Sequence, residues 1–476
     1  MEEYPFLLGG VPQTGTEQQE IRFPYNGECI AKVWLASTKD LDAAAERAIE
    51  GFSITRELSS YMRSRILFRM ADELERRKDE FSRILTLEAG KTVAGAEGEA
   101  DRAVGTLRIS AEEAKRIYGE FMPLDWTPDS SGRIGVTMRV PVGPVLGITP
   151  FNFPLNSACH KIGPAIAAGN PVILKPASAT PLSSLMLGEI AVESGLPAEA
   201  ISVLPCPGER AERLVKDKRI AFVSFTGSAG VGWHLKSLAG RKRITLELGG
   251  TGAVIVHSDA DLSYAVKRIV TGGYSNAGQV CISVQRVFLH KSIYDRALRL
   301  MTDAVRALTT GDPRDPAVDV GPMISEAAAD KAYDKVREAV GQGALLCAGG
   351  PPRGTLFPPT LLAGTVTEMR VNREEAFAPF ITVTPYDEFS DALRMANDSD
   401  YGLQMGVFTR DINAILMAFR NAEVGGLQVN DIPTFRVDQM PYGGVKASGT
   451  GREGPRYAIE EMTEQRLMVI NTAVMK

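Results

Sequence analysis

From Gly143 onward, short runs of consecutive apolar residues alternate with segments of helical spacing, and this alternation restricts the fold more than any other feature of the chain. The runs and segments follow one another at 145–148, 154–168, 171–174, 181–194, 201–204, 209–216, 221–225 and 231–237. Strands that are apolar at every position are buried on both faces, as happens where helices cross between parallel strands. The pattern predicts an α/β fold with a Rossmann-like parallel sheet.

A second alternating series begins at residues 253–256. Its later apolar runs contain Val287, Leu345, Ile381, Gly406 and Leu427. Because one sheet would not hold the strands of both series, we expect two sheets with a domain boundary near Glu247.

The first quarter of the chain has mainly helical spacing. Ser37 and Asp40 form a capping pair before a helix at 41–52, and further helices are expected at 61–88 and 93–119. Two other segments fit neither alternating series: 121–140, which contains Pro and Asp and becomes strand-like at 133–139, and 464–475, which is strand-like. Unpaired edge strands are normally covered by a partner, so these segments predict subunit association.

Composition and charge exclude several classes of protein. Apolar residues make up 44% and charged residues 23% of the 476 positions, as in globular proteins, and the net charge of −5 offers no broad basic surface for nucleic acid. The start of the chain lacks a basic segment followed by an apolar one, and no run of about eighteen apolar residues occurs, so neither secretion nor membrane insertion is expected.

The cysteines and histidines give no sign of a disulfide framework or a metal site. The five cysteines are scattered and lack CxxC spacing, and the four histidines lie far apart. We therefore expect no bound metal and a reducing, cytoplasmic location.

A glycine-containing turn is the candidate cofactor site. The strand-like residues 222–225 lead into Thr226, Gly227 and Ser228, and then into a helix, where free N–H groups favour phosphate. The order GxxGxG differs from the usual dinucleotide fingerprint, so both a dinucleotide site and an ordinary tight turn remain open. Lys175, at the end of the neighbouring strand, either binds an adenosine ribose or 2′-phosphate or is a solvated strand end.

Cys281 is the best candidate nucleophile. It follows the small residues 275–278 and precedes a strand-like segment at 282–288, a boundary where a thiolate is accessible and stabilised. Glu247, between two leucines, is a candidate base whose pKa desolvation would raise, and Asn152, framed by phenylalanines and prolines, is a candidate oxyanion donor. The alternatives are a structural cysteine, a surface carboxylate and a loop asparagine.

Five motifs, in this order, resemble the signatures of the aldehyde dehydrogenase superfamily. They are FNFP at 151–154, LELGG at 246–250, GQVC at 278–281, EEAFAPF at 374–380 and PYGGVKASGTGREG at 441–454. The resemblance covers nearly the whole chain. It implies an NAD(P)-binding domain (1–120 and 143–247), an α/β catalytic domain (248–455) and a β-flap for oligomerisation (121–142 and 456–476).

The resemblance also implies roles for individual residues. Cys281 would attack an aldehyde to give a thiohemiacetal and then a thioester, Asn152 would hold the oxyanion, and Glu247 would activate the hydrolytic water. Lys161 matches a lysine proposed to assist proton relay. The implied cofactor residues are Thr149, Pro150, Phe151, Lys175, Ser178, Thr226, Gly227, Ser228, Glu375 and Phe377. Ser178 stands where NAD-selective members often carry a glutamate, so the cofactor is NAD or NADP.

The substrate is expected to be a short and anionic aldehyde. The loop before the PYGG motif looks like that of members acting on lactaldehyde, succinate semialdehyde or phosphonoacetaldehyde. The substrate candidates are Arg108, Phe153, Phe435, Arg436 and Tyr442. Arginines would pair with an anionic group, although Arg436 could instead pair with Asp438 or another loop carboxylate.

The sequence predicts a homodimer or homotetramer that acts on a small aldehyde, and it leaves rival functions open. One is a CoA-acylating dehydrogenase, which generally lacks a base where this chain has Glu247. Another is a non-catalytic binding or structural protein on the same fold. A third is a cysteine hydrolase without redox function.

Overall fold

The computed structural model describes residues 2–472. Its strands are β1 (Glu2–Tyr4), β2 (Phe6–Leu8), β3 (Val11–Gln13), β4 (Glu17–Arg22), β5 (Cys29–Leu35), β6 (Phe121–Pro123), β7 (Arg133–Pro141), β8 (Val145–Ile148), β9 (Val172–Lys175), β10 (Ile201–Val203), β11 (Phe222–Thr226), β12 (Arg243–Glu247), β13 (Ala253–Val256), β14 (Arg286–His290), β15 (Leu345–Ala348), β16 (Thr360–Ala363), β17 (Phe380–Tyr386), β18 (Tyr401–Gly402), β19 (Gln404–Phe408), β20 (Gly426–Val429), β21 (Val445–Lys446), β22 (Gly449–Thr450) and β23 (Thr463–Asn471).

The helices alternate with these strands. They are α1 (Thr38–Thr55), α2 (Ser60–Arg76), α3 (Lys78–Ala89), α4 (Val93–Glu113), α5 (Pro154–Ala168), α6 (Leu182–Glu193), α7 (Gly208–Lys216), α8 (Ala229–Leu238), α9 (Leu262–Tyr274), α10 (Tyr294–Arg306), α11 (Glu326–Gly341), α12 (Arg370–Arg373), α13 (Phe389–Asn397), α14 (Ile412–Asn421) and α15 (Pro455–Glu461). No helix within residues 2–472 is long and apolar enough to cross a membrane.

The first large sheet is the predicted Rossmann-like sheet. Its order is β22-β12-β11-β8-β9-β10-β2-β3, and the five strands from β12 to β10 are parallel. Helices α2 to α6 pack on one face around a large apolar core, while α1, α7 and α8 cover the other. Because both faces are covered, the strands are apolar at nearly every position, as the sequence predicted.

The second large sheet has the order β15-β16-β17-β14-β13-β19-β20 and contains all the predicted strands of the second series. One strand of the first sheet comes from beyond the expected boundary near Glu247. The short strand β22 pairs antiparallel with β12, so that Leu246 lies opposite Thr450 and Glu247 opposite Gly449. A C-terminal segment therefore completes the edge of the first sheet.

The two strand-like segments that fitted neither series pair with each other. β23 runs antiparallel to β7 over nine residue pairs, and β6 lies on the other side of β7. Residues 473–475, which the sequence assigned to the same strand, lie outside the described residues, as do Met1 and Lys476.

Two predictions for the first quarter were incomplete. Residues 2–35 form five strands, although the first quarter of the chain was predicted to be mainly helical. The helix expected at 61–88 is two helices, because the backbone leaves the helical region at Arg77 (φ −98°, ψ 17°). The capped helix is confirmed: the side chain of Ser37 accepts from Asp40, and the side chain of Asp40 accepts from the Ser37 backbone.

Candidate active site

A cleft of about 790 Å³ opens at the carboxyl ends of the parallel strands of the first sheet and extends to Cys281. Asn152 and Glu247 line the same cleft. So do all ten residues suggested for the cofactor: Thr149, Pro150, Phe151, Lys175, Ser178, Thr226, Gly227, Ser228, Glu375 and Phe377. The carboxyl edge of an open parallel sheet is where such folds bind ligands.

The turn between β11 and α8 has the features of an anion site. Ser228 precedes α8 and makes no side-chain cap, so the first N–H groups of the helix have no partner within it. Gly227 is required because a Cβ there would lie 2.6 Å from the ring of Phe225. The backbone and the helix terminus can thus approach a phosphate closely.

Glu375 lies across the cleft from this turn. Its Oε1 accepts a hydrogen bond from the backbone N–H of Gly250 at 3.2 Å, and burial raises its pKa to about 7. Lys335 of α11, which the sequence reading missed, also lines the cleft and donates to the Glu375 carbonyl at 2.8 Å. The sequence around Lys335 shows only helical periodicity, and nothing in it predicts that Lys335 lines the cleft.

Cys281 lies in an irregular loop. Asn276 and Ala277 adopt left-handed backbone conformations (φ 51° and 53°) and close a short turn before it. The following strand begins at Arg286, four residues later than the predicted start at 282, because the chain continues in turns after the thiol. Arg286 itself is structural, since it is buried and donates to three backbone carbonyls.

The thiol of Cys281 is not stabilised as a thiolate by its surroundings as the sequence suggested. Burial raises its pKa to about 11. Its Sγ lies 3.0 Å from the hydroxyl of Tyr442. Val280, Ile282, Leu403 and Phe153 pack around the pair. The nucleophile candidate is thus held in a mainly apolar pocket that disfavours its charged form.

Asn152 is buried beside the loop that carries the thiol. Its Nδ2 donates to the carbonyl of Gln279 at 2.8 Å, and Asn276 donates to the Asn152 carbonyl at 3.4 Å. The first bond holds the side-chain amide of Asn152 against Gln279, which lies two residues before Cys281 in the chain. The direction of the amide is thereby set, as an oxyanion donor requires.

Glu247 ends β12 and is 3% exposed. Neither of its carboxylate oxygens has a hydrogen-bond partner among residues 2–472. Burial, and then the charge of Glu453, raise its pKa well above the usual range. A buried carboxyl group with both oxygens available is suited to accepting a proton from water.

Behind Glu247 lies a buried ionic group of Lys161, Arg436 and Glu453. Lys161 donates to Thr226 Oγ1 at 2.7 Å and approaches Glu453 at 3.4 Å, and Arg436 donates to Glu453 at 2.8 Å. Burial lowers the pKa of Lys161, whereas the charges around Glu453 overcome burial and lower its pKa to about 2. Arg436 therefore pairs with Glu453, and the alternative partner Asp438 is not used.

Asp438 instead joins α4 to α5. It accepts from Arg102 at 2.7 Å and hydrogen-bonds His160 at 2.8 Å. Arg108 does not reach the site: its guanidinium contacts Asp72 and Glu75 on the outer face of α2. The substrate suggestion for Arg108 is corrected accordingly: Arg102 is the α4 arginine that pairs with Asp438 and approaches the ring of Phe153.

Two arginines lie over aromatic rings that flank the thiol. The guanidinium carbon of Arg436 is 3.7 Å from the ring centre of Tyr442, and that of Arg102 is 5.8 Å from the ring centre of Phe153. Tyr442 contacts Cys281 directly and Phe153 packs against the same apolar cluster as Cys281, whereas Phe435 is 41% exposed. The two arginines are therefore separated from the region of the sulfur by the rings of Tyr442 and Phe153.

The chain is similar to known proteins over nearly its whole length. The model of the aldehyde dehydrogenase family matches residues 11–468. A 3-sulfolactaldehyde dehydrogenase of Priestia aryabhattai is 44% identical over 472 residues, which cover 99% of this chain and 98% of the relative.

Two solved structures have the same fold. Aldehyde dehydrogenase 21 from Physcomitrella patens, in complex with the reaction product succinate, is 40% identical, with a TM-score of 0.97 and coverage of 99% of this chain and 98% of that one. Glyceraldehyde-3-phosphate dehydrogenase from Methanocaldococcus jannaschii, complexed with NADP, is 36% identical, with a TM-score of 0.92 and coverage of 96% and 100%.

Proposed function

The chain belongs to the aldehyde dehydrogenase family, and on this premise we propose that it oxidises a short anionic aldehyde to a carboxylic acid through a thioester on Cys281. It is an NAD(P)-dependent aldehyde oxidoreductase. One observation carries the proposed mechanism: Cys281, Asn152 and Glu247 line a single cleft together with the cofactor candidates. A nucleophile, an oxyanion donor and a base can therefore act on one carbon atom.

The residues of the cleft fit a dinucleotide. The turn of Gly227 and the free N–H groups at the start of α8 suit the pyrophosphate, while Lys175 and Glu375 suit the two riboses. When bound, NAD(P) takes up the hydrogen and electron pair that leave the aldehyde carbon. Lys175 and Ser178 both line the cleft, and neither repels a 2′-phosphate, which supports use of NADP as well as NAD.

The protein's own groups then account for the covalent steps. The Cys281 sulfur attacks the aldehyde carbon, and the Asn152 amide with the Cys281 N–H stabilises the resulting oxyanion; each such donor contributes about 3 kcal/mol. After oxidation to the thioester, Glu247 accepts a proton from a water molecule that attacks the acyl carbon. Lys161, whose charge acts on Glu247 and whose pKa burial lowers, is the residue that we propose to pass that proton on.

The charges around the thiol favour an anionic substrate. Arg102 pairs with Asp438, Arg436 and Lys161 both pair with Glu453, and the buried Lys91 behind Phe153 pairs with Glu99. Nε of Arg436 is buried without a hydrogen-bond partner in the part of the chain that the structure describes. A carboxylate or sulfonate on the substrate would accept a hydrogen bond from this N–H group. The sulfolactaldehyde relative and the succinate complex support the same class.

A substrate panel with two arginine variants tests this proposal. The purified protein is assayed without CoA on pairs of aldehydes of equal length, one anionic and one neutral, with each cofactor. We expect acid formation and a higher kcat/KM for the anionic member. Arg102→Gln should reduce that preference about tenfold. It removes a positive charge near the thiol and leaves the negative charge of Asp438 without its Arg102 partner, and both changes disfavour an anionic substrate. Arg108→Gln, the matched control on the outer face of α4, should leave it unchanged.

Three outcomes would count against the proposal. Strict dependence on CoA would replace hydrolysis with acyl transfer. Ester cleavage without reduction of the nicotinamide would indicate a hydrolase. Equal kcat/KM for the neutral and anionic aldehydes would contradict the proposed anionic substrate class but not the proposed oxidation of an aldehyde.

We also propose a cytoplasmic homodimer or homotetramer assembled through the sheet of β6, β7 and β23. β23 is an edge strand of nine residues, and its apolar residues Leu467, Met468 and Val469 are about half exposed. A second copy of the chain would cover this surface. Leu467→Asp should shift the mass measured by light scattering towards the monomer, and an unchanged mass would argue against this interface.

A further inference from the structure

The sequence suggested Tyr442 only as part of the substrate pocket, but its hydroxyl lies 3.0 Å from the reacting sulfur. We infer that Tyr442 is a catalytic residue whose phenol donates a hydrogen bond to the Cys281 thiolate in the free enzyme. The inference rests on the proposed role of Cys281 as nucleophile and extends it. It assigns the tyrosine to the sulfur, whereas Asn152 is assigned to the oxygen of the substrate.

When the sulfur of Cys281 is deprotonated, the phenol of Tyr442 is the donor in this contact. Burial raises the pKa of Tyr442 well above its usual value, so the hydroxyl keeps its proton when the thiol loses its own. A thiolate has no proton to donate and can only accept. The hydrogen bond to Tyr442 also acts to lower the pKa of Cys281 against the larger effect of burial. The hydroxyl thus favours the reactive form of a thiol that its pocket otherwise keeps neutral.

The tyrosine ring is fixed from two sides. The Arg436 guanidinium covers one face at 3.7 Å and is itself held by Glu453 at 2.8 Å. The backbone N–H of Tyr442 donates to the Glu453 carbonyl at 3.0 Å, and the Glu453 N–H donates to the Tyr442 carbonyl at 2.6 Å. With the side chain 3% exposed among apolar neighbours, the hydroxyl needs no reorganisation to meet the sulfur.

The charge on the sulfur decides at which step of the reaction the Tyr442 hydrogen bond matters most. A donor stabilises the thiolate most, because hydrogen bonds to charged groups are stronger than those to neutral ones. Once the sulfur is bonded to the substrate carbon, its charge is gone and the hydrogen bond weakens. Loss of the hydroxyl should therefore slow attack by the thiol and leave hydrolysis of the thioester, which depends on Glu247, largely unaffected.

Tyr442→Phe tests the inference, because it removes one oxygen and keeps the ring. The rate of Cys281 alkylation by iodoacetamide is measured against pH, with the modified residue identified by peptide mass. We expect the midpoint of the pH profile to rise by about one unit, and the rate at a pH below both midpoints to fall about tenfold. Titration with NADP checks the fold and should give an unchanged affinity.

A matched control is Tyr274→Phe, which removes another buried hydroxyl, one that donates to the Thr360 carbonyl away from the cleft. It should leave the midpoint where it is. An unchanged midpoint in Tyr442→Phe would overturn the inference while leaving the nucleophile assigned. If Cys281 of the unaltered protein is not alkylated at any pH, the inference falls together with the proposed nucleophile, so the two failures are distinguishable.

Discussion

Replacing Glu247 with glutamine should separate the two halves of the reaction. Glutamine has the same shape and suits the same buried position, but it cannot accept a proton from water. The thioester should still form, so each active site should release one equivalent of reduced cofactor in a rapid burst. Later turnovers require hydrolysis, and they should slow sharply.

The size of the effect follows from the surroundings of the carboxylate. General base catalysis typically contributes about 10²–10⁴-fold. Because neither oxygen of Glu247 is engaged by another described group, its full capacity is available for water, and we expect the upper part of that range. A loss of about 10³–10⁴-fold corresponds to about 4–5 kcal/mol of transition-state stabilisation.

The pH profile provides an independent check. Since burial raises the pKa of Glu247, the basic form appears only above the ordinary range of a glutamate, and hydrolysis should accelerate as the pH rises through that raised value. In the Glu247→Gln variant, the rate of hydrolysis should not rise with pH in this range. Glu88 of α3, a buried carboxyl group that accepts hydrogen bonds from the start of α6, also has its pKa raised by burial, to about 7. Glu88→Gln is therefore the control, and it should keep the rise of the hydrolysis rate with pH.

The assay is stopped-flow absorbance of the reduced nicotinamide over the first turnovers. The expected trace for Glu247→Gln is a full burst followed by a nearly flat phase. Steady-state turnover at the unaltered rate would refute the role of Glu247. Loss of the burst with unchanged cofactor binding would instead assign Glu247 to the attack of the thiol.

Three further predictions concern other groups. Cys281→Ala should abolish NAD(P) reduction and preserve cofactor binding in a fluorescence titration; retained turnover would refute the nucleophile. Ser178→Glu should raise the KM for NADP more than that for NAD, because a carboxylate repels a 2′-phosphate; equal effects would mean that Ser178 is not beside the 2′ position. Asp438→Asn should lower the free energy of unfolding in urea by about 2–3 kcal/mol, since Arg102 and His160 lose their partner. His160 and Arg102 hold the pKa of Asp438 below its unfolded value, against the effect of burial. The stability that Asp438 contributes is therefore present above the ordinary aspartate pKa and is lost as the pH falls. If the free energy of unfolding of the variant fell on acidification just as that of the unaltered protein does, the assignment would be contradicted.

The strands of the first sheet were predictable because burial on both faces forces continuous apolar runs. β8 and α5 begin and end where the sequence predicted. The N-terminal strands lack this signal. β4 (Glu17–Arg22) has one buried residue, and its sequence EQQEIR has no apolar run, because this strand lies at the edge of a small, largely exposed sheet. Its pairing with β5, which no local pattern encodes, makes it a strand.

The candidate site was predictable where motifs are contiguous and not where contacts are distant. The cofactor candidates follow strand ends, and the sheet brings strand ends together. Arg102 and Arg108, in contrast, lie six residues apart on one helix, about 1.7 turns, and therefore face different directions. The sequence could not orient α4 about its axis. Glu453 was missed because its partner Lys161 lies 292 residues earlier in the chain.

The strand pair between β12 and β22 has a consequence for biosynthesis. A nascent chain that stops before Gly449 has already made Cys281, Asn152 and Glu247, yet the sheet edge beside Glu247 is still open and Glu453 has not been translated. The ribosome must therefore release almost the whole polypeptide before the cleft can close around its carboxyl group. Synthesis itself should therefore delay formation of the candidate site until the protein around it is finished.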